Sequence, residues 1–301
     1  MRAKLKKVCP KCTQNSIDVY FRNIKRLHRL ISDDDVPETA AWLGKDELMK
    51  KYKKLDLSKR RHLSVSAVKA SQAYDSKKHL EKWTTMMYKD SSEYNSKRAE
   101  NKRTPEEMDK WPKKGYPALK NASTEYKRRI RNIFQQEPSM KNLYSYSKYI
   151  IIRFYSTVAM RNDLASIMVK KYGEGNYLSR AKGVYTIHMK IFKTAKHFGD
   201  TEIKLDKNLS KVIFDYVKYR DAVGIKHKFL LSNQKGGPLT RSALGKILTK
   251  LTSDLLNKKI GSRIIRVLKA TSMRKQIEAV ADLSKEMLHS GKQTKQYTRK
   301  E

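Results

Sequence analysis

Cysteine is nearly absent. Two residues in 301 carry a thiol, and both lie in Cys9-Pro10-Lys11-Cys12. Two thiols cannot build a disulfide framework, so a reducing compartment is the default expectation. A CxxC pair supplies only half the ligands of a structural zinc, and no His pair lies at finger spacing. Residues 1–12 are therefore expected to be a basic N-terminal arm with free thiols. Acidic residues are scarce too: Asp and Glu number 30 against 68 Lys and Arg, a formal net charge of +38. That imbalance calls for a polyanionic partner. Nucleic acid comes first, because neutralised phosphates release counterions; an anionic membrane surface is the weaker alternative. No apolar run reaches the ~18 residues of a transmembrane helix. The longest candidate, 149–160, is interrupted by Arg153. The basic start has no apolar segment behind it, which excludes a secretory signal.

What is present suffices for folding. Hydrophobic residues make up 39% of the chain, including 17 Tyr. At roughly 150 residues per domain the length suggests about two domains, each with a modest core. Ile17, Tyr20, Ile24, Leu27 and Ile31 follow helical 3-4-3-4 spacing. A second helix is expected from Asp46 to about Lys54. A third would be capped by Ser58, with Leu63, Ala67, Ala70 and Tyr74 on its buried side. A fourth would start at Ser76, with Leu80, Trp83 and Met87 facing inward. Together they predict a helical bundle over 13–93. Residues 94–103 lack apolar periodicity and read as a linker. Thr104-Pro105-Glu106-Glu107 then has the form of a capping box with Pro at the first helical position, opening a second domain over 104–301.

That domain reads as mostly helical around a small antiparallel sheet, so the fold class is mainly α (α+β). Helical patterns cover Tyr126–Phe134 and run from about Met140 into Arg161. Val184–Ile191 and Thr201–Leu205 read as strands on either side of a turn at 193–199, and Lys228–Ser232 as a further short strand. Leu209, Val212, Ile213 and Tyr216 mark a helix after the hairpin. Thr240 caps another that carries Leu244, Leu248 and Leu251.

The informative residues come in a fixed order. Arg161 follows the apolar helix, Lys193 sits in the hairpin turn, Arg263-Ile264-Ile265-Arg266 precedes a long helical stretch, and Leu288-His289-Ser290 and Tyr297 close the series. This order resembles the tyrosine recombinase (integrase) family, over most of the chain. The Leu-His-Ser phrasing, the Gln293-Thr-Lys-Gln-Tyr297 ending and Asn101-Lys-Arg-Thr-Pro-Glu-Glu107 are similar to integrases of eukaryotic DNA viruses and of Polinton-like or virophage-like elements. The chain departs from the family pattern at three places. Arg263 stands where a His is usual, Leu288 where a Gly is usual, and Asp163 lies two positions after Arg161 instead of three. Lys190 and Lys196 are rivals for the role given to Lys193. Arg274 lies too near His289 to be the second Arg.

The resemblance implies a helical core-binding domain followed by a catalytic domain, acting on double-stranded DNA as a homotetramer. Arg161 and Arg266 would clamp the phosphate, with Arg263 and His289 as further donors. Tyr297 would be the nucleophile and Lys193 the general acid. The sequence holds no phosphate-binding Gly-rich motif and no carboxylate cluster for a two-metal site, so this scheme calls for no cofactor and no metal. The implied role is integration or excision of a viral or mobile element, in a host nucleus or viral factory. A type IB topoisomerase-like enzyme, a catalytically decayed DNA-binding protein and a basic packaging or RNA-binding protein are the alternatives.

Overall fold

The structure is a computed structural model that describes residues 1–286. The chain forms two units, Met1–Lys102 and Arg103–Glu301. No helix among the described residues is long and apolar enough to cross a membrane.

The first unit is all helical: α1 (Arg2–Val8), α2 (Gln14–His28), α3 (Asp46–Lys53), α4 (Leu57–Ala73) and α5 (Lys77–Ala99). The expected 3-4-3-4 stripe buries Ile17, Ile24 and Leu27, while Tyr20 and Ile31 pack at its margin. These side chains meet Leu63, Ala67 and Ala70 of α4 and Trp83 of α5. Trp83 is 0% exposed. Its indole stands edge-on to Tyr52, and Nε1–H donates to the Leu43 carbonyl at 3.2 Å. The cap of α4 is Asp56 and not Ser58: Asp56 Oδ1 accepts the Lys59 N–H at 3.0 Å.

Two expectations need correcting here. Residues 1–12 are more than a basic arm, and their thiols are not free. α1 buries Leu5 to 1% exposure against α2 and α4, and Arg2 pairs with Asp18 at 2.9 Å. Cys9 and Cys12 are joined by a disulfide with Cα atoms 5.4 Å apart. Most of the expected linker is also helix, because α5 continues to Ala99. It lacks apolar periodicity there, but Glu93 pairs with Lys97 and Arg60, and Arg61 lies 4.2 Å from the Tyr94 ring centre. Polar (i, i+4) and cation–π contacts of this kind sustain a helix without an apolar stripe.

The second unit contains α6 (Pro105–Asp109), α7 (Ala118–Arg129), α8 (Met140–Tyr155), β1 (Ile167–Met168), β2 (Asn176–Ala181), β3 (Val184–Met189), α9 (Ala195–Phe198), β4 (Thr201–Lys204), α10 (Lys207–Ala222), α11 (Arg241–Leu256), α12 (Ser262–Ser272) and α13 (Arg274–Glu286). The expected capping box is present. Thr104 Oγ1 accepts the Glu107 N–H and Glu107 Oε2 accepts the Thr104 N–H, both at 3.2 Å. α8 supplies the apolar spine, with Ile150, Ile151, Ile152, Phe154 and Tyr155 fully buried.

The sheet has order β1-β2-β3-β4, antiparallel except for the short parallel pair β1–β2. β3 alternates inward Tyr185, Ile187 and Met189 with half-exposed neighbours, as a strand buried on one face must. Sequence reading missed β2, whose only apolar side chains of any size are Tyr177 and Leu178. Its hairpin to β3 turns at Lys182-Gly183, both with positive φ (48° and 80°), the backbone that a two-residue hairpin requires. Lys228–Ser232, expected as a strand, contributes only single bridges, Met168 to Phe229 and Ser232 to Pro238.

Candidate functional site

α8 ends at Tyr155, six residues before Arg161, and not in Arg161 as the apolar pattern suggested. Arg161 is extended (φ −69°, ψ −177°) and leads into a 3-10 turn at Asn162–Ser166. The Tyr155 hydroxyl donates to the Arg161 carbonyl at 2.9 Å. Burial and nearby Asp163 push this hydroxyl above its ordinary pKa, so it stays a donor. Asp163 is itself buried and pairs with Arg241 at 2.5 Å. Gly245 lets α11 approach this turn, since a Cβ there would stand 2.9 Å from Asn162 Nδ2. The Arg161 backbone is thus held from α8 and its turn from α11, while the guanidinium stays half-exposed.

Arg266 lies on α12, one helical turn after Ser262, whose carbonyl accepts its Nε–H at 3.3 Å. Burial, and then the neighbouring Arg161 charge, lower the Arg266 pKa from the ordinary guanidinium value. Among the described residues neither Arg161 nor Arg266 forms an ion pair. Two half-buried guanidiniums that repel each other, offset only in part by the nearby Asp163 charge, work against stability. Such conflicts concentrate at functional sites, here one suited to an anion.

Lys193 sits in the connection from β3 to β4, in the stretch between the end of β3 and α9. Its neighbour Thr194 accepts from Arg161 Nη1 at 3.4 Å, which brings this connection to the arginines. Lys193 is exposed and has no ion-pair partner among the described residues. The rival Lys190 lies 3.9 Å from both Glu174 and Asp200; the rival Lys196 is also exposed.

Arg263 lies near enough for its charge also to lower the Arg266 pKa, but its own guanidinium is held elsewhere. It pairs with Glu106 Oε2 at 3.0 Å and Glu107 Oε1 at 3.1 Å, the carboxylates of the capping-box helix. His289 and Tyr297 lie outside the described residues. Sequence reading missed Tyr155, Thr194 and Arg241, whose parts depend on contacts made across the fold. Next to the arginines, α11 and the start of α12 border an open groove of about 850 Å³, lined by Asn162, Lys246, Lys250, Lys259, Ser262 and Arg263 among others. Among the described residues no three His, Cys, Asp or Glu side chains gather as a metal site requires.

No protein-family model matches the chain, and no curated protein matches it. Solved structures do. The XerH site-specific recombinase bound to its difH substrate, in a pre-cleavage complex, is 16% identical with a TM-score of 0.55, covering 100% of this chain and 81% of that one. XerH on a palindromic difH substrate, in a post-cleavage complex, is 14% identical with a TM-score of 0.52, covering 98% and 80%. The XerA recombinase is 11% identical with a TM-score of 0.39. The two XerH comparisons span nearly the whole chain, and a mostly helical chain with one small sheet meets them throughout: this protein has a tyrosine recombinase fold.

Proposed function

We propose that this chain is a site-specific DNA recombinase or integrase that cuts and rejoins double-stranded DNA through a phosphotyrosyl intermediate on Tyr297. The observation that carries the reading is the unpaired couple Arg161 and Arg266, on a recombinase fold, beside a connection bearing an exposed lysine. The fold likeness to XerH in complexes before and after cleavage of its substrate supports duplex DNA as substrate, and the net charge of +38 agrees with it.

A phosphodiester repels nucleophiles until its charge is met. Two guanidiniums aimed at the non-bridging oxygens stabilise the pentacoordinate transition state more than the ground state. The Tyr297 phenol gives its proton to solvent, assisted by the positive site, and Oη attacks phosphorus. The bond to the 5′-oxygen breaks as the Lys193 ammonium donates a proton to it. The products are a 3′-phosphotyrosyl link and a free 5′-hydroxyl. The phosphoester is conserved, so another strand's 5′-hydroxyl reverses the step. His289 is a further donor to the phosphate. Exchange between two duplexes needs four such cleavages, hence a tetramer on DNA. The role is integration or excision of a viral or mobile element, in a host nucleus or viral factory.

The test is a covalent-adduct assay. The protein is incubated with a random-sequence pool of nicked duplexes in excess chelator, denatured in detergent, and the DNA-linked peptide mapped by mass spectrometry. An adduct on Tyr297 is the expected result, and sequencing the trapped DNA gives the target site. Tight DNA binding with no adduct would instead favour the decayed DNA-binding protein, the reading that Arg263 at the usual His position supports.

Arg263 provides a further check. Its guanidinium is held by Glu106 and Glu107, so Arg263→Ala is expected to slow single-turnover cleavage by less than about tenfold, well short of the ~10²-fold or more expected on losing a transition-state donor. A loss of 10²-fold or more would show that Arg263 leaves its carboxylates and joins the phosphate clamp.

A further inference from the structure

Asn176 opens β2 and is 2% exposed. Its Oδ1 accepts the backbone N–H groups of Lys190 and Ile191, both at 2.8 Å. Its Nδ2 donates to the Ile191 carbonyl at 2.9 Å and to Ser166 Oγ at 3.2 Å. A primary amide has two donor hydrogens and two acceptor lone pairs, and all four are used. Ser166 Oγ in turn donates to the Asp163 carbonyl at 2.8 Å.

The place of this amide in the fold gives it a purpose. The β2–β3 ladder runs from Ala181↔Val184 to Tyr177↔His188 and stops there. Beyond it the chain leaves the sheet, and the peptide groups at 190 and 191 have no strand to pair with. The Asn176 side chain stands in for that strand. It fixes the first residues of the connection that carries Lys193, and through Ser166 it ties them to the turn that begins at Arg161. Beyond them the connection is held by the Arg161–Thr194 hydrogen bond at 3.4 Å and by little else. Ile191, Lys193 and residues 196–200 are exposed, and Phe192 alone packs against the core as a large apolar side chain. An apolar residue at 176 would leave two N–H groups and a carbonyl unpaired beside the site, a loss that packing cannot replace.

We infer that Asn176 is a positioning residue for strand cleavage: its amide sets where the Lys193 ammonium stands relative to Arg161 and the scissile phosphate. The inference rests on the proposed function, and in particular on Lys193 as general acid.

The test uses the trapped target duplex in two forms, one ordinary and one with sulfur in place of the bridging 5′-oxygen at the cleaved bond. A thiolate leaves without protonation, so the sulfur substrate bypasses the general acid. Lys193→Ala, Asn176→Ala and Asn176→Asp are compared in single-turnover cleavage. Lys193→Ala is expected to be slower by ~10²-fold or more on oxygen and near wild type on sulfur. Asn176→Ala is expected to lose ~10- to 10²-fold on oxygen, the scale of a misplaced catalytic group, and to recover to within about threefold on sulfur. Asn176→Asp keeps the acceptor and loses the donor, so the same split is expected at smaller size. If Asn176→Ala melts below the assay temperature, the aspartate variant decides. Equal loss on both substrates, with Lys193→Ala still rescued, overturns the inference and spares the proposed function. Failure of sulfur to rescue Lys193→Ala removes Lys193 as the acid and the inference with it. Absence of any wild-type adduct is the separate failure of the function itself.

Discussion

Replacing Arg161 or Arg266 with alanine is expected to slow cleavage of the bound target ~10²- to 10³-fold each, the usual cost of removing one preorganised transition-state donor. The measurement is the single-turnover rate at saturating protein, with the dissociation constant taken at the same fixed salt concentration. Binding should weaken far less, because affinity for DNA is spread over many phosphate contacts of a chain with 68 basic residues. Lysine at either position should restore little, since an ammonium cannot offer the parallel pair of N–H donors that a guanidinium presents to a phosphate. Stability supplies an independent sign. Burial and the Arg161 charge already lower the Arg266 pKa. Arg266→Ala removes that repulsion, so its melting temperature is expected to stay level or rise while activity falls. A variant that melted earlier and cleaved normally once bound would show that the two arginines are structural.

Trp83→Ala is expected to destabilise the first unit by ~3–5 kcal/mol, the range for deleting a buried aromatic side chain. Trp83 is fully buried, packs edge-on against Tyr52 and satisfies the Leu43 carbonyl. Alanine therefore opens a cavity and leaves a buried acceptor unpaired. The chain has three tryptophans, and Trp42 lies in the first unit and Trp111 in the second. In the variant, a urea transition followed at Trp42 is expected to move to lower concentration. The one followed at Trp111 is expected to hold its midpoint, because the second unit has its own core around α8. Trp83→Phe keeps most of the volume and loses only the indole donor, at a cost of ~1–3 kcal/mol. Coincident shifts at both reporters would show that the two units unfold as one.

Much of the fold could be read from short-range pattern. The stripe from Ile17 to Leu27, the box at Thr104–Glu107 and the Thr240 cap all depend on neighbours within one or two turns and formed where the residues required. The helix stops at His28, before Ile31, and the strand expected over Val184–Ile191 stops at Met189. The misreadings have a common cause. α8 stops at Tyr155 although the apolar pattern runs on, because the Tyr155 hydroxyl and the pair Asp163–Arg241 hold the following residues in another conformation. α1 exists because Leu5 finds a core made by α2 and α4. The 94–99 segment continues α5, with Arg61 of α4 over the Tyr94 ring and Lys97 paired to Glu93.

The candidate site divides the same way. The sequence by itself determined the excess of positive charge and the helical character of both units, since these follow from composition and local period. It offered Arg161, Lys193, Arg266, His289 and Tyr297 in chain order as candidates, the last two outside the described residues. Only the tertiary structure decided that Arg161 comes near enough to Arg266 for its charge to be felt there while neither forms an ion pair among the described residues, that Arg263 pairs with Glu106 and Glu107, and that Asn176 ties the Lys193 connection to the Arg161 turn. The partners in the last two cases lie more than a hundred and about fifteen residues apart. No local pattern encodes such contacts. They arise when packing brings a guanidinium within reach of a carboxylate, or an amide within reach of two unpaired peptide groups, and desolvation then makes leaving those groups unpaired costly.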